Sequence, residues 1–160
     1  MDFSLIGKGH NIKYYPRLHG LRENPCDEIL PNLWLGSIRA LNLNQFDVVI
    51  SVLKPADLKQ LGKYHISAGY WFKIALEDKP DAPIEKFLSI VNCIIDEHLK
   101  RGKKILLHCH AGRSRSASLL AWYLMQSQNL TCDQALEFIK SKRPTVNPNA
   151  GFVSKLFLLK

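Results

Sequence analysis

The chain predicts an α/β fold, a central, largely parallel twisted sheet flanked by helices, and three observations carry that prediction. Residues 47–53 (DVVISVL) are β-branched and almost wholly apolar, as a central strand covered on both faces should be. Residues 84–100 place Ile84, Phe87, Leu88, Val91, Ile94, Ile95 and Leu99 at helical spacing, giving a helix with one face for the sheet. Residues 104–107 form a second apolar strand that breaks at His108 into a loop of small residues, and a helix follows at once.

The other elements follow in order. Gly7, Gly9, Pro16 and Gly20 interrupt any period near the start, so residues 1–26 read as an N-terminal arm or loop laid on a single domain of residues 27–160. Residues 33–36 read as a short strand. Residues 64–66 and 70–76 are further strand candidates, and Pro80 and Pro83 bracket the loop after them. Gly102 is placed to end the helix of residues 84–100. The helix after the small-residue loop spans residues 115–128, with Ala117, Leu120, Ala121 and Leu124 inward. Thr131 with Gln134 matches a capping box for a helix reaching Lys142, where Arg143-Pro144 stops it. Asn147-Pro148 offers a cap and a first-turn proline for a last helix containing Phe152, Leu156 and Leu159.

Composition narrows the functional classes. No window approaches an uninterrupted membrane-spanning apolar run, and the N-terminus lacks the charged lead and apolar core of a secretory signal. A cytoplasmic protein, also nuclear in reach, is expected, and nothing in the chain calls for more than a monomer. Cys26, Cys93, Cys109 and Cys132 are widely spaced, so neither a disulfide framework nor a metal cluster is expected, and no cofactor is implied. The formal charge of +8 is unevenly distributed. Lys100, Arg101, Lys103, Lys104, Arg113 and Arg115 lie in an acid-free stretch, as do Lys140, Lys142, Arg143, Lys155 and Lys160. Such a field favours anionic partners, which charge alone does not choose among.

The chemistry concentrates in residues 105–120 (ILLHCHAGRSRSASLL). Backbone N–H groups of a small-residue loop can converge on one anion, with the free donors of a helix start behind them. Cys109 opens this loop and Arg115 closes it six residues later, offering a thiolate below a phosphorus atom and a guanidinium fork for its oxygens. Positive surroundings favour the thiolate form of a cysteine, the form that attacks. Gly112 suits a tight turn of the loop, and the Ser116 hydroxyl is placed to donate to the Cys109 sulfur.

The run His108-Cys109-His110-Ala111-Gly112-Arg113-Ser114-Arg115-Ser116 resembles the signature of the protein tyrosine phosphatase superfamily. Residues 28–37 and 143–152 resemble the opening strand and closing turn of its small, atypical dual-specificity members, so the likeness covers residues 27–158. The resemblance implies hydrolysis of phosphotyrosine and phosphoserine/threonine through a phosphocysteine, with Cys109 as nucleophile and Arg115 and the loop residues His110, Ala111, Gly112, Arg113 and Ser114 around the phosphate. It further implies that Ser116 steadies the leaving thiolate and that His108 organises the loop.

A leaving oxygen needs a proton, and Glu77, Asp78 and Asp81 all follow the strand of residues 70–76. The resemblance selects Asp78, 31 residues before Cys109. Tyr14, Tyr15 or the Tyr70–Trp71 pair are candidates to border the pocket, while Trp34 and Trp122 are expected in the core. Cys26, Cys93 and Cys132 are expected to be passive, with a disulfide to an oxidised Cys109 as the alternative. His110 and Arg113 are basic at loop positions where lipid-directed relatives often carry basic residues, whereas the 143–152 segment resembles the protein-directed branch. A phosphorylated protein is therefore the expected partner, an anionic lipid headgroup the second. RNA 5′-triphosphate ranks behind both, there being no strong nucleic-acid signal.

Overall fold

In the computed structural model, which describes residues 23–159, five strands form one sheet in the order β1-β2-β5-β3-β4. The strands are β1 Cys26–Leu30, β2 Leu33–Gly36, β3 Val48–Leu53, β4 Tyr70–Ala75 and β5 Ile105–His108. Only β1 runs antiparallel, pairing with β2 across a hairpin whose Asn32 adopts φ 67°; β2, β5, β3 and β4 are mutually parallel. The helices are a single turn α1 Pro55–Leu58, then α2 Leu88–Lys100, α3 Arg115–Ser127, α4 Cys132–Lys142 and α5 Ala150–Leu159.

The two-residue period of the strands divides the core. Leu33, Leu35, Val48, Ile50, Val52, Ile105 and Leu107 face the four long helices, and Trp34, Val49, Leu53 and Leu106 face a smaller layer with Leu41, Phe46 and Leu61. Ser51 and His108 alternate into that smaller layer as buried polar residues and stand opposite each other in the β3–β5 register. Helix α3 is buried around nearly its whole circumference, so the four inward positions expected of it understate its burial.

Four expectations need correction. Residues 64–66 form no strand; a 3-10 turn at Leu61–Lys63 leads into irregular chain there. The helix expected over 84–100 is broken at Phe87 into a 3-10 turn, Ile84–Lys86, and α2, because Pro83 and the tight turn after it precede a separate helix start. The last helix is capped not by Asn147 but by Asn149, whose Oδ1 accepts from Phe152 N at 2.9 Å; the backbone N–H of Asn147 is spent on Arg113 O. Strand β1 begins at Cys26, within the stretch read as an arm. The remaining readings of residues 1–22, including Tyr14 and Tyr15, lie outside the described residues. The Thr131–Gln134 capping box is present with both reciprocal bonds, and Gly102 takes φ 70° after α2. No helix among the described residues is long and apolar enough to cross a membrane.

Candidate active site

Strands β5, β3 and β4 are parallel, so their C-terminal ends share one edge of the sheet, and the residues following them meet there. Cys109 follows β5 and Asp78 lies just beyond β4. Asp78, Cys109, His110, Ala111, Arg113, Ser114, Arg115, Thr145 and Asn147 line one cavity of about 440 Å³.

The conformation of the loop from Cys109 to Ser114 follows from where its carbonyls go. The Cys109 carbonyl accepts from His108 Nδ1 at 2.9 Å, and that of His110 from the Ile38 N–H at 3.0 Å. Arg143 supplies the next two, Nη2 to Ala111 O at 3.2 Å and Nε to Gly112 O at 3.0 Å, and the Asn147 N–H bonds Arg113 O at 2.8 Å. In a trans peptide the carbonyl and the following N–H point in opposite directions, and no cis bond occurs among the described residues. Five carbonyls bonded outward therefore turn the N–H groups of residues 110–114 to the other side of the loop, the arrangement that holds an anion. Gly112 makes the turn at φ 69°, and a Cβ there would lie 2.6 Å from the Gly36 backbone.

Cys109 is buried, with its Sγ 3.1 Å from Ser116 Oγ. Arg115, at the first turn of α3, is anchored by Nη1 to Leu76 O at 3.2 Å. Its buried Nε has no protein partner among the described residues, a donor suited to an oxygen of a bound phosphate. Ser114 Oγ donates to Asp78 Oδ1 at 2.6 Å, and Asn149 Nδ2 donates to the same oxygen at 2.9 Å. Asn149 N donates in turn to Ser114 Oγ at 2.9 Å. Gly151 lets this corner close, because its backbone lies so near Pro80 that a Cβ would come within 2.1 Å of the Pro80 carbonyl oxygen. Lys155 of α5 adds bonds to Ala82 O at 2.8 Å and to Glu85 at 2.9 Å.

The three acids that sequence left open differ in their partners, although Glu77 and Asp78 both line a depression with His110 and Arg115. Asp78 shares the cavity with Cys109 and is bound to the phosphate loop. Glu77 is exposed and paired with Lys79 at 2.7 Å, whose hydrogen bond holds its carboxyl below the usual range. Asp81 lines a different depression with Pro55 and Pro83.

His108 stands behind the loop, wholly buried, and burial pushes its ring down to about 4, with the Arg115 charge adding to the effect against the opposing backbone bond. The ring is therefore neutral near pH 7. Its Nδ1 faces a carbonyl and so must carry the proton, which makes Nε2 an acceptor for the Ser51 hydroxyl at 2.5 Å. Trp71 Nε1 donates to Ser51 Oγ at 2.9 Å and completes the chain. Trp71 thus supports the loop from behind instead of bordering the pocket. Tyr70 opens β4, at the end away from Asp78, stacked on Phe72 and edge-on to His98. Trp34 is in the core as expected, and Trp122 packs against it half-buried. Cys26 is buried, and burial together with the neighbouring Asp27 charge pushes its thiol up to about 12; burial raises that of Cys132 as well. Both shifts suit passive roles.

Sequence reasoning missed Ser51, Arg143 and Asn149, and placed Trp71 at the pocket instead of behind the loop. Arg143 read as a helix stop, yet its side chain is 1% exposed and bonds Asn24 O and Asp27 at 2.8 Å each as well as the loop. The one available signal was an arginine between a helix end and a proline, which does not distinguish a buried strut from a solvated charge.

The model of the dual specificity phosphatase catalytic domain matches residues 34–160. The chain belongs to that family. It is a cysteine-dependent phosphatase domain. It is 34% identical over 143 residues to dual specificity protein phosphatase 1 of Arabidopsis thaliana, covering 84% of this chain and 68% of that protein. To human dual specificity protein phosphatase 1 it is 31% identical over 130 residues, 81% of this chain but only 35% of the human protein. Among solved structures it resembles the human tyrosine phosphatase-like serine/threonine/tyrosine-interacting protein, with TM-score 0.73, 26% identity and coverage of 84% and 94% of the two chains. It also resembles human DUSP28, with TM-score 0.72, 26% identity and coverage of 82% and 90%.

Proposed function

We propose that this domain hydrolyses phosphotyrosine and phosphoserine/threonine on proteins through a phosphocysteine. One observation carries the reading: Cys109, Asp78 and Arg115 border a single cavity whose floor is an anion-holding loop. The curated relatives bear the names of dual specificity protein phosphatases, which supports a protein substrate.

In this mechanism the N–H groups of residues 110–114 and the Arg115 guanidinium bind the non-bridging oxygens and stabilise the charge spread over them at the transition state. The Cys109 thiolate attacks phosphorus in line, forming an S–P bond as the P–O bond to the leaving group breaks. Asp78 gives its proton to the departing oxygen, then takes one from the water that attacks the phosphocysteine. Inorganic phosphate leaves, and the thiolate is restored while accepting a hydrogen bond from Ser116. His108 holds the Cys109 carbonyl and with it the first peptide of the loop.

A second reading, hydrolysis of a phosphate on an anionic lipid headgroup, is favoured by His110 and Arg113, which with Arg39 line a neighbouring depression of about 460 Å³. A panel of singly phosphorylated peptides, soluble phosphoinositides and 5′-triphosphorylated RNA decides among them. The highest kcat/KM is expected on the peptides, and a clear preference for the inositol lipids would replace this reading with the second.

A further inference from the structure

Glu23 brings a carboxylate against the phosphate loop from outside it. Its Oε1 accepts from Arg113 Nη2, while Oε2 accepts from Thr145 Oγ1 at 2.8 Å and lies 3.4 Å from Arg143 Nη2. Burial pushes its carboxyl up, but the bonds from Arg113 and Thr145 and the charges of Arg113 and Arg143 outweigh that, so it stays ionised below the usual range. Arg143 has its own carboxylate in Asp27 at 2.8 Å and does not need Glu23 for neutralisation. Arg113 is different: its side chain is 54% exposed, and Glu23 is its one acidic partner among the described residues.

Arg113 and Thr145 also line the cavity that holds Cys109, and Glu23 and Arg113 line the depression beside it. The carboxylate therefore occupies the guanidinium that a second anion on a bound substrate would meet. Carboxylate and phosphate compete for the same donor fork.

We propose that Glu23 is a specificity-determining residue, which by occupying Arg113 selects against substrates carrying a second phosphate beside the one hydrolysed. This deepens the protein-phosphatase reading and rests on it. A singly phosphorylated substrate leaves the Glu23–Arg113 pair intact. A doubly phosphorylated one must break that pair or place its second phosphate against a bare carboxylate, a built-in repulsive element.

The test compares the full chain with Glu23→Gln, Arg113→Gln and the double variant. The substrates are a phosphotyrosine peptide, the same peptide with a second phosphate on a neighbouring residue, and a soluble inositol bisphosphate. In Glu23→Gln the ratio of kcat/KM for the doubly over the singly phosphorylated peptide is expected to rise about fivefold, the size of a partly exposed charge pair. The gain should vanish in the double variant, and Arg113→Gln alone, which bares Glu23, should lower the ratio below wild type. An unchanged ratio in Glu23→Gln, a double variant whose ratio stays as far above wild type as that of Glu23→Gln, or a gain confined to the inositol bisphosphate would each overturn the proposal. If the wild type hydrolyses the singly phosphorylated peptide and the ratio does not move, this inference alone fails. No hydrolysis of either peptide removes it together with the protein-phosphatase reading.

Discussion

The two segments that meet over Cys109 are held in place by opposite means. The phosphate loop is pinned from beneath, with five successive carbonyls bonded to the body of the domain and the deeply buried Arg143 carrying two of them. The acid-bearing loop after β4 is largely exposed. Asp78 is held there by two side-chain hydrogen bonds, both on Oδ1, from Ser114 and Asn149. The anion-holding loop is thus part of the folded core, whereas Asp78, the proposed proton donor, is tethered to it by a few replaceable contacts. Stability and activity should therefore be coupled in the first region and separable in the second.

The strongest test of that contrast is Arg143→Met. It removes the strut from two loop carbonyls and leaves Asp27 buried without its cation, so a loss of about 3–5 kcal/mol in denaturant unfolding is expected. Turnover should collapse with it. A variant that keeps wild-type stability would show that the loop does not depend on its arginine.

Asp78→Asn is expected to reverse the pattern, with little change in stability and a loss of about 10²–10⁴ in kcat on an alkyl phosphate. On an aryl phosphate with a good leaving group the loss should be far smaller. Equal losses on both substrates would remove Asp78 from the proton-donor role. Asn149→Ala should fall below either of these, costing about tenfold in kcat through one lost hydrogen bond to the Asp78 carboxyl. That loss should be larger on the poor leaving group, because the residue positions Asp78; a uniform loss would indicate a role in the helix cap only.

A separate effect is expected on the pH dependence of folding. His108 is pushed down to about 4 in the fold from an ordinary 6.5, so below 6.5 the unfolded chain binds the extra proton first. Its contribution to stability is complete above about pH 6.5 and is lost progressively as pH falls toward 4. Denaturant midpoints across that range should show a downward slope that flattens in His108→Gln. A slope unchanged by that substitution would assign the loss to other groups.

The fold was legible in the sequence where periodicity is strong. The apolar stretch around Val48–Leu53, the amphipathic face of α2 and the strand–loop–helix at Cys109 all stand where their patterns put them. The strand read at residues 64–66 failed because three residues hold too little periodicity to outweigh a tertiary turn. In the candidate site, the contiguous loop residues could be read because one local stretch of chain makes them all. Asp78 needed the family resemblance, since Glu77 and Asp81 offer the same chemistry one and three residues away. Arg143, Asn149, Ser51 and the true role of Trp71 could not be read, because each reaches the loop across the fold from a position whose local pattern reports only a helix end, a cap or a strand. Glu23 is 90 residues from Arg113, and nothing near it in sequence announces the contact.

Cys109 is expected to become covalently phosphorylated in this cavity. Rapid acid quench of the wild-type chain with an aryl phosphate, followed by intact-mass measurement and peptide mapping, tests it directly. The expected result is a transient gain of one phosphoryl group on the peptide containing Cys109, larger in Asp78→Asn if hydrolysis of the intermediate slows more than its formation, and absent in Cys109→Ser together with turnover. Steady hydrolysis by folded Cys109→Ser protein, or a phosphoryl group mapped to another residue, would contradict the account.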